Sequence, residues 1–266
     1  MKYLKMVGFV VLFVVLPLVL NVIILQLIKN IGPINSMREG TPTSVFLILD
    51  TIAILALSLV VKFIRRENPL KFADVKKISK VTVAICTLLG LTLALFSNSL
   101  LNIDSLKEST GAIGGSIDWI IGGNIFLVVI VTFINSAYKE FCFRGLAFNE
   151  MRIHIPVVAA LIVQAMFYAG ELVYFKNPMA AILYAFLGQL VFGIIFYLGR
   201  SIWASFIAQI SCSLGLALLR RTDLSNLFNN SSSIVLLIVS IVIIGILIVA
   251  MNKSNKRQQV ATNTAV

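Results

Sequence analysis

Repeated apolar runs of about twenty residues constrain this chain more than any other feature, because a helix of that length crosses the hydrocarbon core of a bilayer. Eight such runs are legible, at roughly 6–28, 43–61, 81–101, 120–148, 155–175, 179–199, 201–219 and 234–251. The fourth is interrupted by a charged cluster. Of the 266 residues, 59% are hydrophobic and 12% charged, with a mean hydropathy of +1.00. A soluble domain of this size carries about 25% charged residues. Backbone amides in lipid must be satisfied within their own segment. The expected fold is therefore all-α, a polytopic membrane bundle of about eight transmembrane helices. Lys2 and Lys5 supply a basic start to the first run, but its apolar stretch is too long for a signal peptide and no small-residue cleavage site closes it. It reads as a retained anchor helix.

The formal net charge of +11 invites a nucleic-acid partner, but the basic residues follow the positive-inside pattern instead. With eight crossings both termini share one side. That side carries fourteen Lys and Arg, the other six, and Lys139 and Arg144 lie within the membrane. Both termini are expected in the cytoplasm. The 62–80 loop is strongly basic, and two readings stay open for it: contact with anionic lipid headgroups, or plain solvation. Segments 102–118 and 225–233 read as polar loops, and the tail after Met251 as a short disordered end. Cys86, Cys142 and Cys212 all fall in apolar runs and read as small hydrophobic residues, with no disulfide framework. The chain reads as one domain in three segments: 1–119 with helices one to three and the basic loop, a core at 120–219, and 220–266 with the last helix and tail.

The first three helices hold few internal polar groups. Asp50 is the exception, facing a polar interior or capping a tilted helix, with a structural role either way. The core holds Lys139, Glu140, Arg144, Glu171, Gln189, Gln209 and Ser213. Ionisable groups at membrane depth are costly and usually point inward, paired. Glu140 and Arg144 are four apart with the acid first, the favourable order for an intrahelical ion pair. A helical hairpin turning at Ile155-Pro156 places Lys139 and Glu171 each about sixteen residues from the turn, at similar depth. A Lys139–Glu171 ion pair is expected, since each charge alone would be driven to neutralise.

Lys139-Glu140-Phe-Cys-Phe-Arg144-Gly145, then Phe167-Tyr-Ala-Gly-Glu171, then the stretch from Gly188 through Trp203 to Gln209 and Ser213 resemble, in order, the three motifs of the CAAX protease and bacteriocin-processing family, also called Abi. The resemblance covers about 120–219. It implies a multi-helix intramembrane glutamate protease core. In that family a first Glu and a second-motif His activate water, while a third-motif His and Asn stabilise the oxyanion. Carried over position by position, the first Glu is Lys139, the second-motif His is Glu171, and the third-motif His and Asn are Gln209 and Ser213. Glu140 and Arg144 keep the family's identity, and Arg144 reads as structural. A protonated Lys cannot serve as a general base, and an ionised Glu is a poor substitute for a neutral imidazole. Gln209 keeps a donor, and Ser213 loses the amide. The expectation is a degenerate member in which a catalytic site has become a structural polar core.

The resemblance implies that such a pseudoprotease binds another integral membrane protein: a sensor histidine kinase, a cell-envelope enzyme, or a bacteriocin target in self-immunity. One alternative is a divergent active endopeptidase with Glu140 as base and Gln209 at the oxyanion. A second is a small-solute transporter using the buried charges, although no internal repeat or broken-helix pair supports it. No cofactor or metal is expected. The only histidine, His154, reads as a solvated turn residue. No His-Glu-x-x-His is present, and no nucleotide-binding loop. A rhomboid-like serine protease would need a core His, and a Glu140–Glu171 acid dyad would lose both acids to Lys139 and Arg144.

Overall fold

A computed structural model describes residues 2–30, 42–106, 110–111, 114, 118, 124–174, 178–222 and 228–264. Among these there is no strand. The helices are α1 (Lys2–Asn30), α2 (Pro42–Val60), α3 (Pro69–Phe72), α4 (Lys80–Leu101), α5 (Ile125–Arg152), α6 (Val157–Tyr174), α7 (Met179–Gly199), α8 (Ile202–Arg221) and α9 (Asn230–Thr264). Seven contain a segment long and apolar enough to cross a membrane: α1, α2 with its extension to Arg65, α4, α5, α7, α8 and α9. The run expected at 155–175 becomes α6, but its apolar part, Val157–Gly170, is shorter than the other spans. The protein is a multi-pass helical membrane bundle.

Polar residues just ahead of the apolar runs start these helices. Ser79 Oγ accepts the Thr82 N–H at 3.1 Å, Asn124 Oδ1 accepts the Phe126 N–H at 2.9 Å, and Ser201 Oγ accepts the Trp203 N–H at 3.3 Å. Such caps satisfy amides that the first turn leaves unpaired. Asn68 caps α3, with Pro69 in the first helical position. Three residues with left-handed backbone interrupt the chain where helices stop: Arg66 (φ 58°), Asp74 (φ 55°) and Arg200 (φ 53°). Arg200 closes α7 by donating its N–H to Phe196 O at 2.9 Å.

Two apolar clusters form the interior. One joins α1, α2, the second half of α5 and α6 around Phe13, Leu57, Phe143, Phe148 and Ala160. The other joins α4, α7, α8 and α9 around Cys86, Leu89, Ile195, Ala208 and Met251. The α4–α8 pairing is the closest approach. A Cβ on Gly90 would stand 2.2 Å from the Ala208 carbonyl oxygen and 2.6 Å from Ser211 Cβ. Gly215 meets Ala94 one turn away. Small residues at spacings of four let the two backbones touch, which is how helices associate where apolar burial gives no preference for helix over lipid.

The bundle has two distinct ends. At one, Ile202 donates its N–H to Asp74 O, Ser201 Oγ bonds Lys76 O at 2.5 Å, and Asn255 bonds Leu198 O. The Arg65 guanidinium there reaches Phe9 of α1. At the other, Asp104 donates its N–H to Asn230 Oδ1 at 3.2 Å and Arg220 holds Asp118 at 2.5 and 2.6 Å. The described contacts between connections thus gather at one or the other of two opposite ends of the bundle.

Three expectations need correction. The tail after Met251 is not irregular: α9 continues to Thr264, since Met251 is buried and Asn255 is anchored on α7, and adding residues to a formed helix is easy. The polar segment at 225–233 is a helix start in its second part, where Asn229 Oδ1 accepts the Ser232 N–H at 2.8 Å. His154 is not solvated: its ring sits against Glu150, Nε2 to Oε1 3.4 Å, because the two are one turn apart at the end of α5.

Candidate functional site at the buried charge cluster

The charged cluster falls where α5 widens from α-helix into a π-helix, Glu140–Phe148. Long π segments are rare and recur at functional positions. All nine residues of this one are buried. Gly145 allows the packing: its Cβ position lies 2.8 Å from Ala73 Cβ, so the α3 segment closes directly on the π-helix.

Glu140 and Arg144 are both 0% exposed. They form the expected ion pair, Oε1 to Nη1 3.1 Å, in an orientation that is not that of a hydrogen bond. The other carboxylate oxygen accepts a hydrogen bond from Ser205 Oγ of α8. Arg144 reaches onward: Nη2 lies 3.4 Å from Gln189 O, and the guanidinium stands 5.8 Å from the Phe192 ring centre. Gln164 of α6 donates to the same Gln189 carbonyl at 3.0 Å. Gly193, one turn along α7, permits this, since its Cβ would lie 2.9 Å from Gln164 Nε2. Four helices thus meet through one fully desolvated charge pair.

Lys139 lies beside α6, its Nζ 5.3 Å from the Tyr168 ring centre. Asp50 is buried and accepts a hydrogen bond from Asn135 Nδ2 at 2.8 Å. Asn135 and Lys139 are one turn apart on α5. Asp50 therefore faces a polar interior, the first of its two expected roles. Tyr168 packs edge-on against Phe143 at 5.4 Å. The hairpin turn at Ile155-Pro156 forms as expected, with α6 starting at Val157. The expected partner of Lys139, Glu171, lies in α6 beyond Tyr168, and its side chain falls outside the described residues.

Gln209 is buried on α8, and its Oε1 has no hydrogen-bond partner among the described residues. Ser213 is half-buried one turn further along. Among the described residues no three His, Cys, Asp or Glu side chains converge as a metal site would require.

Residues 121–215 match the family described as type II CAAX prenyl endopeptidase Rce1-like. Over that stretch, about a third of its length, the chain is similar to the Rce1-like family. No curated protein and no solved structure matches the chain. The match spans α5 to α8, so the resemblance to the family model falls on the helices that build the buried charge cluster.

Several partners in this cluster escaped the sequence reading. Ser205, Asn135, Gln164 and Tyr168 carry no assigned role when read from the sequence. A signal was present for the first: Ser201, Ser205, Gln209 and Ser213 recur every four residues, one polar stripe on an apolar helix. Gln164, Tyr168 and Glu171, spaced four and three apart, form a similar stripe on one face of α6.

Proposed function

We propose that this Rce1-like protein is a catalytically inactive member of its family that binds and regulates or scaffolds another integral membrane protein. One observation carries the reading: Lys139, which by the resemblance stands where the family has its catalytic Glu, lies with its Nζ 5.3 Å from the Tyr168 ring centre, one turn from the Asn135 that bonds Asp50. A cation there cannot take a proton from water. The neighbouring acid does not replace it, because Glu140 is sealed from solvent and its two oxygens face Arg144 and Ser205. What remains is a polar junction that fixes α2, α5, α6, α7 and α8 against one another. A rigid bundle with a lipid-facing exterior suits recognition of a second membrane protein. By the resemblance the partner is a sensor kinase, a cell-envelope enzyme or a bacteriocin target in self-immunity. The protein would reside in a bacterial plasma membrane with both termini cytoplasmic.

The test is cleavage of prenylated and unprenylated CAAX peptides by the full chain in lipid vesicles, beside the Glu140→Gln variant. The expected result is identical, background turnover. Specific cleavage lost in a folded Glu140→Gln protein would establish the divergent endopeptidase instead. Mild cross-linking in native membranes, with tagged recovery and mass spectrometry, should then yield a membrane protein in near-stoichiometric amount.

A further inference from the structure

We propose that the cleft between α3 and the end of α5 binds the phosphate of an anionic phospholipid headgroup. The cleft measures about 490 Å³ and is lined by Arg66, Lys71, Arg152, Asn68 and Asn149, with Glu67 and Asp74 as its acids. Both acids are already compensated. Glu67 pairs with Arg65 at 2.7 Å, and Asp74 pairs with both Lys76 and Arg152. Arg66 and Lys71 have no carboxylate within ion-pair distance among the described residues, and both are exposed. Two cations thus face the cleft without a counter-charge. Guanidinium and ammonium together suit a phosphate, the first by a planar fork of donors and the second as a point charge.

Depth selects the source of that phosphate. The α2 span ends at Arg65 and the α5 span at Arg152, so the cleft begins where two membrane segments end. That is headgroup level. Beside it three large apolar side chains are exposed: Phe63 at 66%, Ile64 at 61% and Leu70 at 60%. Apolar side chains interleaved with cations match the boundary between headgroups and acyl chains. A site for a soluble anion would gain nothing from them. The inference rests on the membrane reading alone and stands whether or not the protein cleaves peptides.

The experiment is native mass spectrometry of the full chain released from mixed vesicles of phosphatidylglycerol and phosphatidylcholine. Three proteins are compared: wild type, Arg66→Gln/Lys71→Gln, and Lys77→Gln/Lys80→Gln, which removes equal charge from exposed positions outside the cleft. Wild type should retain phosphatidylglycerol in preference to phosphatidylcholine. The cleft variant should lose that retention by about thirtyfold, the sum expected for two headgroup-level cations. The control variant should keep it, and added inorganic phosphate should not displace the lipid. Equal retention of the two lipids, equal loss in both variants, or displacement by inorganic phosphate would each overturn the assignment. The first removes the site, the second reduces it to diffuse surface charge, and the third makes it a free-anion site.

Discussion

Glu140 and Arg144 illustrate how little a buried charge tolerates once its partner is gone. Arg144→Leu should lower stability by ~3–5 kcal/mol, because it leaves a carboxylate desolvated with a single hydroxyl donor. Ser205→Ala removes one interhelical hydrogen bond and should cost ~1 kcal/mol. Unfolding of the purified protein by SDS in mixed micelles measures both, and the reverse ranking would refute the description of the cluster. Lys139 and Asp50 make a separate pair to test. Lys139→Met keeps the stem and removes the charge, so Asp50 is left buried with Asn135. Asp50→Asn in the same chain should restore much of the loss, a coupling of about 0.5–3 kcal/mol by double-mutant cycle. No coupling would mean that the two charges do not interact. Lys139, Glu140 and Arg144 were conspicuous in the sequence because charges are rare in apolar runs. Ser205, Asn135 and Gln164 were not, since small neutral polar residues are tolerated in membrane helices for many reasons and only a partner gives one a role.

At the level of elements, backbone proximity decides more than composition. Gly90→Ala should destabilise the bundle severely, because the new methyl would meet a backbone oxygen that cannot move without shifting α8. Gly8→Ala is the control: nothing lies within 4 Å of its Cβ position, and alanine should be neutral or stabilise α1 by about 0.5–1 kcal/mol. Thermal unfolding in detergent separates the two, and similar midpoints would contradict the close α4–α8 contact. The helical tail offers another check. Asn255→Ala frees the Leu198 carbonyl, so amides after Met251 should exchange faster with solvent deuterium while α4 keeps its protection. The apolar runs announced nearly every helix. They did not announce the π segment of α5, which has no sequence period of its own and depends on Arg144 and its neighbours packing against other helices.

At the scale of the whole molecule, the two opposite ends of the bundle predict accessibility. Cysteines introduced as Lys77→Cys and Ser105→Cys stand at opposite ends of the bundle, both at exposed positions. A membrane-impermeant maleimide should label only one of them in sealed right-side-out vesicles and only the other in inverted ones. Labelling of both from the same side would show that α4 does not cross the membrane. Of the native thiols Cys86 and Cys142 are buried, and Cys212 is replaced by Ala in both variants so that it does not react. The same arrangement brings Arg65, Glu150, Asp74, Arg152 and Ser201 to one face and makes the basic 62–80 segment a folded lip over the end of α5.

The sequence by itself determined that this chain lives in lipid, that it is a multi-pass helical bundle, and that its buried charges concentrate in the stretch from α5 to α8. These follow from solvation: a charge or a twenty-residue apolar run has a large free energy of transfer that few contexts reverse. Tertiary structure alone decided which polar groups meet. It set Lys139 beside Tyr168, closed Ser205 onto Glu140, gathered two uncompensated cations beside α3, and kept the tail helical. Those outcomes depend on helix rotation and register, and adjacent positions differ by about 100° in direction. Contacts between helices set that rotation, and no single helix encodes it.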